Sequence, residues 1–364
     1  MKHLGYLVIL FLLAANTCIT GLLLLSAYGP CLTPAEHPVL SCLGLAFPIF
    51  ALLNGGFLFL WLCIRRYRPA LLPLLGFLAC LPQLRTYLPL NLHTGTLPEG
   101  SCKVLSYNIM GFADATKREG KRPILEYLKA SDADVLCLQE YRTSGSGKNV
   151  SQKDVDRALA DYPYHHIGHV GKSRANQVAC YSKWPILSAR ELVTPSAYNG
   201  IMMYELKWGS DTLMLFNVHL ESNKLTSSDK AVYENMLTDP EKETVKSGLR
   251  LLVRKLAEAT ALRAPQADTL AKRIAACPHR YIVVCGDFND TPISYTHHTI
   301  ARKLNDAFTD SGYGLGTSYN RNKFYFRIDN ILASENLATY NCTVDRSIRA
   351  SDHYPIWCHM AKKQ

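Results

Sequence analysis

Residues 4–28 contain no charged side chain. About 20 apolar residues cross the hydrocarbon of a bilayer as a helix, because a helix pairs its own backbone polar groups where no water is present. A run without a polar stripe has no face to offer water, which argues against a buried core helix. It is also too long for the apolar part of a signal peptide, and no A-x-A-like cleavage site follows it. Residues 39–64 form a second uncharged run, and residues 69–84 a third, shorter and carrying Pro73 and Pro82. The chain therefore divides into a membrane anchor of two to three transmembrane helices, most simply three, over 1–98 and a water-exposed domain over 99–364.

Basic residues set the expected orientation, since Lys and Arg flanking a span stay in the cytoplasm. Lys2 precedes the first run, the 28–38 connection holds no Lys or Arg, and Arg65, Arg66 and Arg68 cluster between the second and third. With that cluster inside, three crossings leave the domain outside. That is a multi-pass protein of the cell inner membrane with a periplasmic domain. If the third run only re-enters, the domain stays in the cytoplasm.

From residue 103 the pattern changes to short apolar strands between polar helices and turns. Strands are expected over 103–109, 134–139, 177–182, 201–208, 212–220, 281–285, 327–333 and 355–361. Helices are expected over 123–129, 154–160 and 243–276, the last with a break near Pro265. DVLCLQ and YIVVCGD are apolar on both faces, as central strands covered by other layers are. Residues 142–152 (RTSGSGKNVSQ) read as a Ser/Gly-rich surface loop. The twelve cysteines show no C-x-x-C pair and no zinc-ligand spacing, and Cys137, Cys285 and Cys358 fall in apolar runs where cysteine is a small core residue. The net charge of +10 favours anionic partners: phosphates, nucleic acid or acidic headgroups. The basic residues Arg263, Lys272 and Arg273 of the long helix are expected to form a solvated face rather than a phosphate site.

Polar residues that can bind a cation or phosphate recur where strands end. They are Asn108 in VLSYNI, Glu140 in VLCLQE, Asn217 and His219 in FNVHL, Asp287 and Asn289 in GDFND, Asp329 in FRIDNIL, and Asp352 with His353 in SDHYPI. Strand ends on one side of a sheet are where α/β folds place ligands. Glu140, Asp352 and the Asn108 amide oxygen suit Mg²⁺ or Mn²⁺, which take oxygen ligands. A cation so held polarises a phosphoryl oxygen. His353, with Asp329 to fix its tautomer, suits proton transfer near neutral pH. Asn289 and His219 can donate to the charge that builds on phosphorus.

The ordered succession SYNI, LQE, NVHL, GDFND, RIDNI and SDHYP resembles the endonuclease/exonuclease/phosphatase superfamily, from residue 103 to the C-terminus. That resemblance implies a four-layer α/β sandwich of the DNase I-like kind. It implies Asn108 and Glu140 as Mg²⁺ ligands, with Asp352 contributing to the metal site. Asp287 would orient or activate the attacking water, and Asn289 would stabilise the pentacovalent phosphate. His353 would be the catalytic histidine paired with Asp329, and His219 the second, phosphate-binding histidine. Whether His353 is the base, or contacts phosphate while Asp287 is the base, stays open.

Asn330 stands where the family often has Tyr or Trp, and Met110 and Gly111 stand where the apurinic-endonuclease branch has an acidic residue. Cys285-Gly286 and Arg327-Ile328-Asp329 depart from the inositol-polyphosphate 5-phosphatase pattern. The expected activity is divalent-metal-dependent, nuclease-like hydrolysis of phosphodiesters at a membrane surface. The alternatives are a lipid-headgroup phosphodiesterase of sphingomyelinase type, against which no exposed hydrophobic hairpin near the motifs is recognisable, and a catalytically inactive tethered binding module. The expected partners are a phosphate ester and the bilayer, with no obligate protein partner.

Overall fold

The computed structural model describes residues 2–113, 122–144, 150–224, 226–238, 242–321 and 324–363. The first apolar run is helix α1 (Lys2–Tyr28). The second is a 3₁₀ segment, Leu40–Ala46, continued by α2 (Phe47–Cys63). Both are long and apolar enough to cross a membrane. The third run is broken into α3 (Tyr67–Ala79) and α4 (Leu81–Tyr87), bent by 65°. Pro82 stands in the first turn of α4, where a missing N–H costs no helical hydrogen bond.

Buried polar side chains lace α1, α2 and α3 together. Trp61 Nε1 donates to Asn16 Oδ1 at 2.8 Å, Thr20 Oγ1 to Asn54 Oδ1 at 2.8 Å, and Asn54 Nδ2 to the Pro73 carbonyl at 2.9 Å. Hydrogen bonds of this kind hold helices together where apolar surfaces give no preference over lipid. Gly76 lets α3 approach closely, since a Cβ there would lie 2.7 Å from Thr20 Cγ2. The C-termini of α1 and α3 meet the N-terminus of α2: the Tyr28 hydroxyl donates to the Ala79 carbonyl at 2.6 Å, and Leu23, Ala27, Phe47 and Cys80 form one cluster. Ile293 of the following domain completes that cluster.

The domain holds two six-stranded sheets. The first contains β1 (Cys102–Asn108), β2 (Val135–Gln139), β3 (Tyr164–Val170), β4 (Asn176–Ser182), β13 (Leu337–Val344) and β14 (Ile356–Lys362), in the order β13-β14-β1-β2-β4-β3. The second contains β5 (Ile186–Leu192), β6 (Gly200–Trp208), β7 (Asp211–His219), β8 (Tyr281–Asp287), β9 (Asn305–Asp306) and β12 (Asp329–Ala333), in the order β5-β6-β7-β8-β12-β9. A small hairpin, β10 (Tyr319–Arg321) with β11 (Phe324–Phe326), stands apart. β1 runs parallel to β2, and β7 parallel to β8.

Val104, Val135, Cys137, Leu213, Leu215, Val283 and Cys285 fill the space between the sheets. The outer face of the first sheet packs on α5 (Pro123–Ala130) and α6 (Gln152–Ala158), and that of the second on α8 (Lys242–Ala275). The result is the expected four-layer α/β sandwich. β2 and β8 are buried along their whole length, as their two-sided apolar runs require. All twelve cysteines are free.

The structure corrects some expectations. The break near Pro265 is absent, for α8 runs through it. Pro265 faces solvent while Ala264, Ala267, Leu270 and Ile274 on either side of it are buried. Packing along that stripe outweighs the roughly 3 kcal/mol that an internal proline costs. Of the loop expected over 142–152, residues 145–149 lie outside the described residues. Its end is helical, because Ser151 and Asp154 form a capping box that starts α6 at Gln152. Helix α7 (Ser227–Thr238) precedes α8 and was not anticipated.

Candidate active site

The two parallel pairs, β1–β2 and β7–β8, end on the same side of the sandwich, and their last residues carry the polar groups. Gly286 lets β8 press against β7: its φ is 143°, and a Cβ would lie 1.9 Å from the Val218 carbonyl oxygen. The next residue, Asp287, is thereby held in register with His219.

Asp287 is the hub. Its Oδ1 accepts from the Asn289 backbone at 2.8 Å, and its Oδ2 accepts from Asn108 Nδ2 at 3.1 Å. His219 Nε2 and His353 Nε2 each stand 3.7 Å from the same Oδ2, too far for a direct hydrogen bond. Both imidazoles therefore keep a polar edge turned towards one shared point. Asn108 Nδ2 also reaches Glu140 Oε1 at 3.2 Å, and Glu140 Oε1 lies 3.8 Å from His219 Nε2.

Glu140 and Asn289 both have positive φ, 50° and 52°. Asn tolerates that conformation and Glu pays for it, so the fold imposes it on Glu140. The Glu140 carboxylate is 40% exposed, whereas that of Asp287 is buried.

His353 Nδ1 lies 2.8 Å from Asp329 Oδ2, both side chains being buried. Burial alone would push the imidazole pKa down, but the Asp329, Asp287 and Asp352 carboxylates outweigh it and hold His353 well above its usual range. Burial pushes the Asp287 carboxyl up, and Asp329 adds to this against the lowering pull of His353 and His219.

Asn289 is tied back through Nδ2 to the Leu220 carbonyl at 3.0 Å, which leaves its second amide hydrogen free to donate. Asp352, half-buried beside His353, accepts from Ser351 Oγ at 3.4 Å. Asn217 does not reach the cleft. It is a strut between the sheets, accepting from Gln139 Nε2 at 2.7 Å and donating to the Ala179 carbonyl at 3.0 Å.

Several supporting residues carry no sequence signal. Asn176 Nδ2 approaches His219 Nδ1 at 3.1 Å, an arrangement that leaves the imidazole proton on Nε2. Ser318 Oγ accepts from the backbone of both Ile328 and Asp329 at 3.0 Å. The Tyr319 ring meets the His353 ring edge-on at 5.2 Å. Ser351, legible as the first letter of SDH, donates to the Asn108 carbonyl at 2.7 Å and fixes the His353 backbone at 3.2 Å.

Arg263 is corrected: it is neither solvated nor a phosphate ligand. It is 1% exposed and joins two site loops, donating to the Glu221 carbonyl at 3.0 Å and to Asn223 Oδ1 at 2.8 Å, with Asp290 at 3.4 Å. Lys272 is exposed, as expected.

The donor set fits a hard cation. Asp287 and Asp329 offer carboxylate oxygens within 4.8 Å of one another, and Asp329 Oδ1 is buried without a hydrogen-bond partner among the described residues. Asp329, Asp287 and Asp352 stand around the His353 imidazole and Glu140 lies beside His219, a concentration of carboxylates that a divalent ion would offset. Carboxylate and amide oxygens without a thiolate suit Mg²⁺ or Mn²⁺.

Residues 105–353 match the model of the endonuclease/exonuclease/phosphatase family, and residues 8–87 match a domain of unknown function. Comparison with curated proteins gives no match. Among solved structures, an endonuclease/exonuclease/phosphatase from Beutenbergia cavernae is 18% identical, with TM-score 0.52, covering 72% of each chain. Humanized D. rerio TDP2 is 14% identical with TM-score 0.52, covering 72% of this chain and 100% of its own. The human nocturnin catalytic domain is 15% identical with TM-score 0.50, covering 75% and 97%.

Proposed function

The chain belongs to the endonuclease/exonuclease/phosphatase family, and we propose that it is a divalent-metal-dependent phosphoesterase hydrolysing phosphodiester bonds at a membrane surface. One observation carries this: Asn108, His219 and His353, from three distant stretches of chain, all turn a nitrogen towards Asp287 Oδ2.

Glu140 and Asp352, with the Asn108 amide turned so that Oδ1 in place of Nδ2 faces Glu140, would hold Mg²⁺ or Mn²⁺, which when bound polarises a phosphoryl oxygen and stabilises the leaving oxygen. Asp287 is the candidate to orient and deprotonate the attacking water, since its raised pKa makes it a better proton acceptor than an ordinary carboxylate. His353, kept cationic by Asp329, is better suited to bind a phosphoryl oxygen than to take a proton. That favours the second of the two roles left open for it. His219, through Nε2–H, and the free amide hydrogen of Asn289 would donate to the charge that develops in the transition state.

A nuclease-like phosphodiesterase is the first form of this function. A lipid-headgroup phosphodiesterase is the second, favoured by one contact: Ile293, four residues beyond Asn289, packs directly on the anchor. A Cβ on Gly44 of the 3₁₀ segment would lie 1.8 Å from the Ile293 carbonyl oxygen. The catalytic loop is thus seated on the membrane end of the molecule.

The test uses the purified full-length chain against DNA, RNA, sphingomyelin, phosphatidylinositol phosphates and a generic phosphodiester. Chelation should silence hydrolysis, and Mg²⁺ or Mn²⁺ should restore it. Asp287→Ala and His353→Ala should each lower kcat by about 10²–10⁴. Full activity in either variant defeats these roles, and hydrolysis of none of the substrates favours an inactive binding module.

A further inference from the structure

We propose that the segment leaving α4, together with the loop it pairs with, lies in the headgroup region of the bilayer and attaches the catalytic domain to lipid independently of the spans. After Tyr87 the chain reads Leu-Pro-Leu-Asn-Leu-His. Pro89 is buried, while Leu88, Leu90 and Leu92 are 45%, 66% and 90% exposed. Alternate residues of an extended chain share one side, so three leucines point outward together.

The segment is firmly fixed, not a slack linker. Asn91 Nδ2 donates to the Thr309 and Gly312 carbonyls at 2.9 Å, and the Gly314 N–H donates to the Pro89 carbonyl at 2.8 Å. Leu90 forms an antiparallel bridge with Tyr313. Tyr313 and Leu315 follow the same alternation and are 71% and 51% exposed. Leu92, Tyr313 and Leu315 then border an open depression of about 550 Å³ that also has His93 and the exposed Arg346 on its lining.

The fold thus spends hydrogen bonds to hold large apolar side chains outward beside a cation. A contiguous exposed patch of this kind marks a binding surface. Continuity with the anchor identifies the partner. The Tyr87 ring packs edge-on against Phe47, the first residue of α2, at 5.9 Å, and Leu88 is the next residue. The leucine strip therefore starts at the level where the bundle leaves the hydrocarbon. Leu and Tyr beside Arg is the composition that settles at the boundary of acyl chains and headgroups, with the guanidinium near the phosphates.

The test needs no catalytic activity. Photoreactive p-benzoylphenylalanine is placed at Leu92, at Tyr313 and, for comparison, at Tyr164, which is 41% exposed on β3. β3 and β13 are opposite edges of the first sheet, and Asn341 to Val344 of β13 border the depression. All three sites are exposed, so the replacements leave the core intact. The full-length chain is irradiated in phosphatidylethanolamine–phosphatidylglycerol liposomes, and adducts are weighed by mass spectrometry. Lipid adducts at positions 92 and 313 should exceed those at 164 several-fold. Equal yields at the three positions overturn the proposal, as does cross-linking of 92 and 313 to a second protein chain instead of lipid.

Discussion

His353 owes its raised pKa chiefly to Asp329, and Asp329 owes its place to Ser318. The carboxylate is wholly buried, and its backbone and that of Ile328 are both pinned by one hydroxyl. Because Asp329 is the main cause raising the His353 pKa, Asp329→Asn should lower that pKa while nearly preserving shape. If the cationic imidazole binds the phosphoryl group, the alkaline limb of the pH–kcat profile should move to lower pH. kcat itself should fall by about 10²–10⁴. A limb that stays in place would show that His353 does not act as a cation. Stability follows the same sign. A pKa raised above the unfolded value stabilises the fold fully below about 6.5, and the gain is lost as pH rises through the folded value. Asp329 was legible from the sequence because its chemistry stands in the RIDN motif. Ser318 and Asn176 were not, since a lone Ser or Asn in a loop or at a strand end carries no pattern.

The strands that sequence periodicity revealed lie inside the sheets, and those it missed lie at margins. β1, β2, β4, β6, β7, β8, β12 and β14 all overlap expected strands, whereas β3, β5, β9 and β13 are the four sheet edges. An edge strand faces water along one side and so mixes polar residues into its run, as YHHIGHV does in β3. The site was legible for the same reason, because its residues terminate central strands. What could not be read was the joint between anchor and domain, where partners lie far apart in sequence. Arg327 is its clearest case. It is buried, donates to the Thr86 carbonyl of α4, stacks over Phe308 at 4.5 Å and lies 3.6 Å from Asp306. Asp306 also caps the short helix Ala307–Ser311, accepting from Phe308 N at 2.9 Å. Burial would raise the Asp306 carboxyl, but Arg327 and His297 hold it far below the usual range. Asp306→Asn keeps a capping oxygen and leaves the guanidinium uncompensated, which should cost about 3–5 kcal/mol. A depressed carboxylate pKa stabilises above the unfolded value of about 3.8, and that gain is lost as pH falls through the folded value. The difference in Tm between wild type and variant should therefore be steady near neutrality and shrink below about pH 4. A constant difference down to strong acid would remove the ion pair as its cause.

At the scale of the whole molecule, the apolar helices and the domain share one apolar cluster, so in a membrane the direction of the bundle would fix the side on which the domain lies. Contacts at Asn16–Trp61, Thr20–Asn54 and Asn54–Pro73 make α1, α2 and α3 alternate in direction. Their domain-facing end holds Tyr28, Phe47 and Cys80, while Arg65, Arg66 and Arg68 lie beyond the end of α2 remote from it. α3 is only 13 residues, or roughly 20 Å as a helix, shorter than a typical hydrocarbon core. Its ties to α2 at Pro73 and to α1 at Ala79, however, hold it alongside them. Arginines at a span end stay in the cytoplasm, so the domain should emerge on the other side. In a two-membrane bacterium, alkaline phosphatase fused to the C-terminus should be active and a green fluorescent protein fusion dark. Changing the three arginines to neutral residues should lower the phosphatase signal, because it removes the charge bias that sets the direction. A bright fluorescent fusion with inactive phosphatase would instead place the domain in the cytoplasm, with α3 and α4 re-entering rather than crossing.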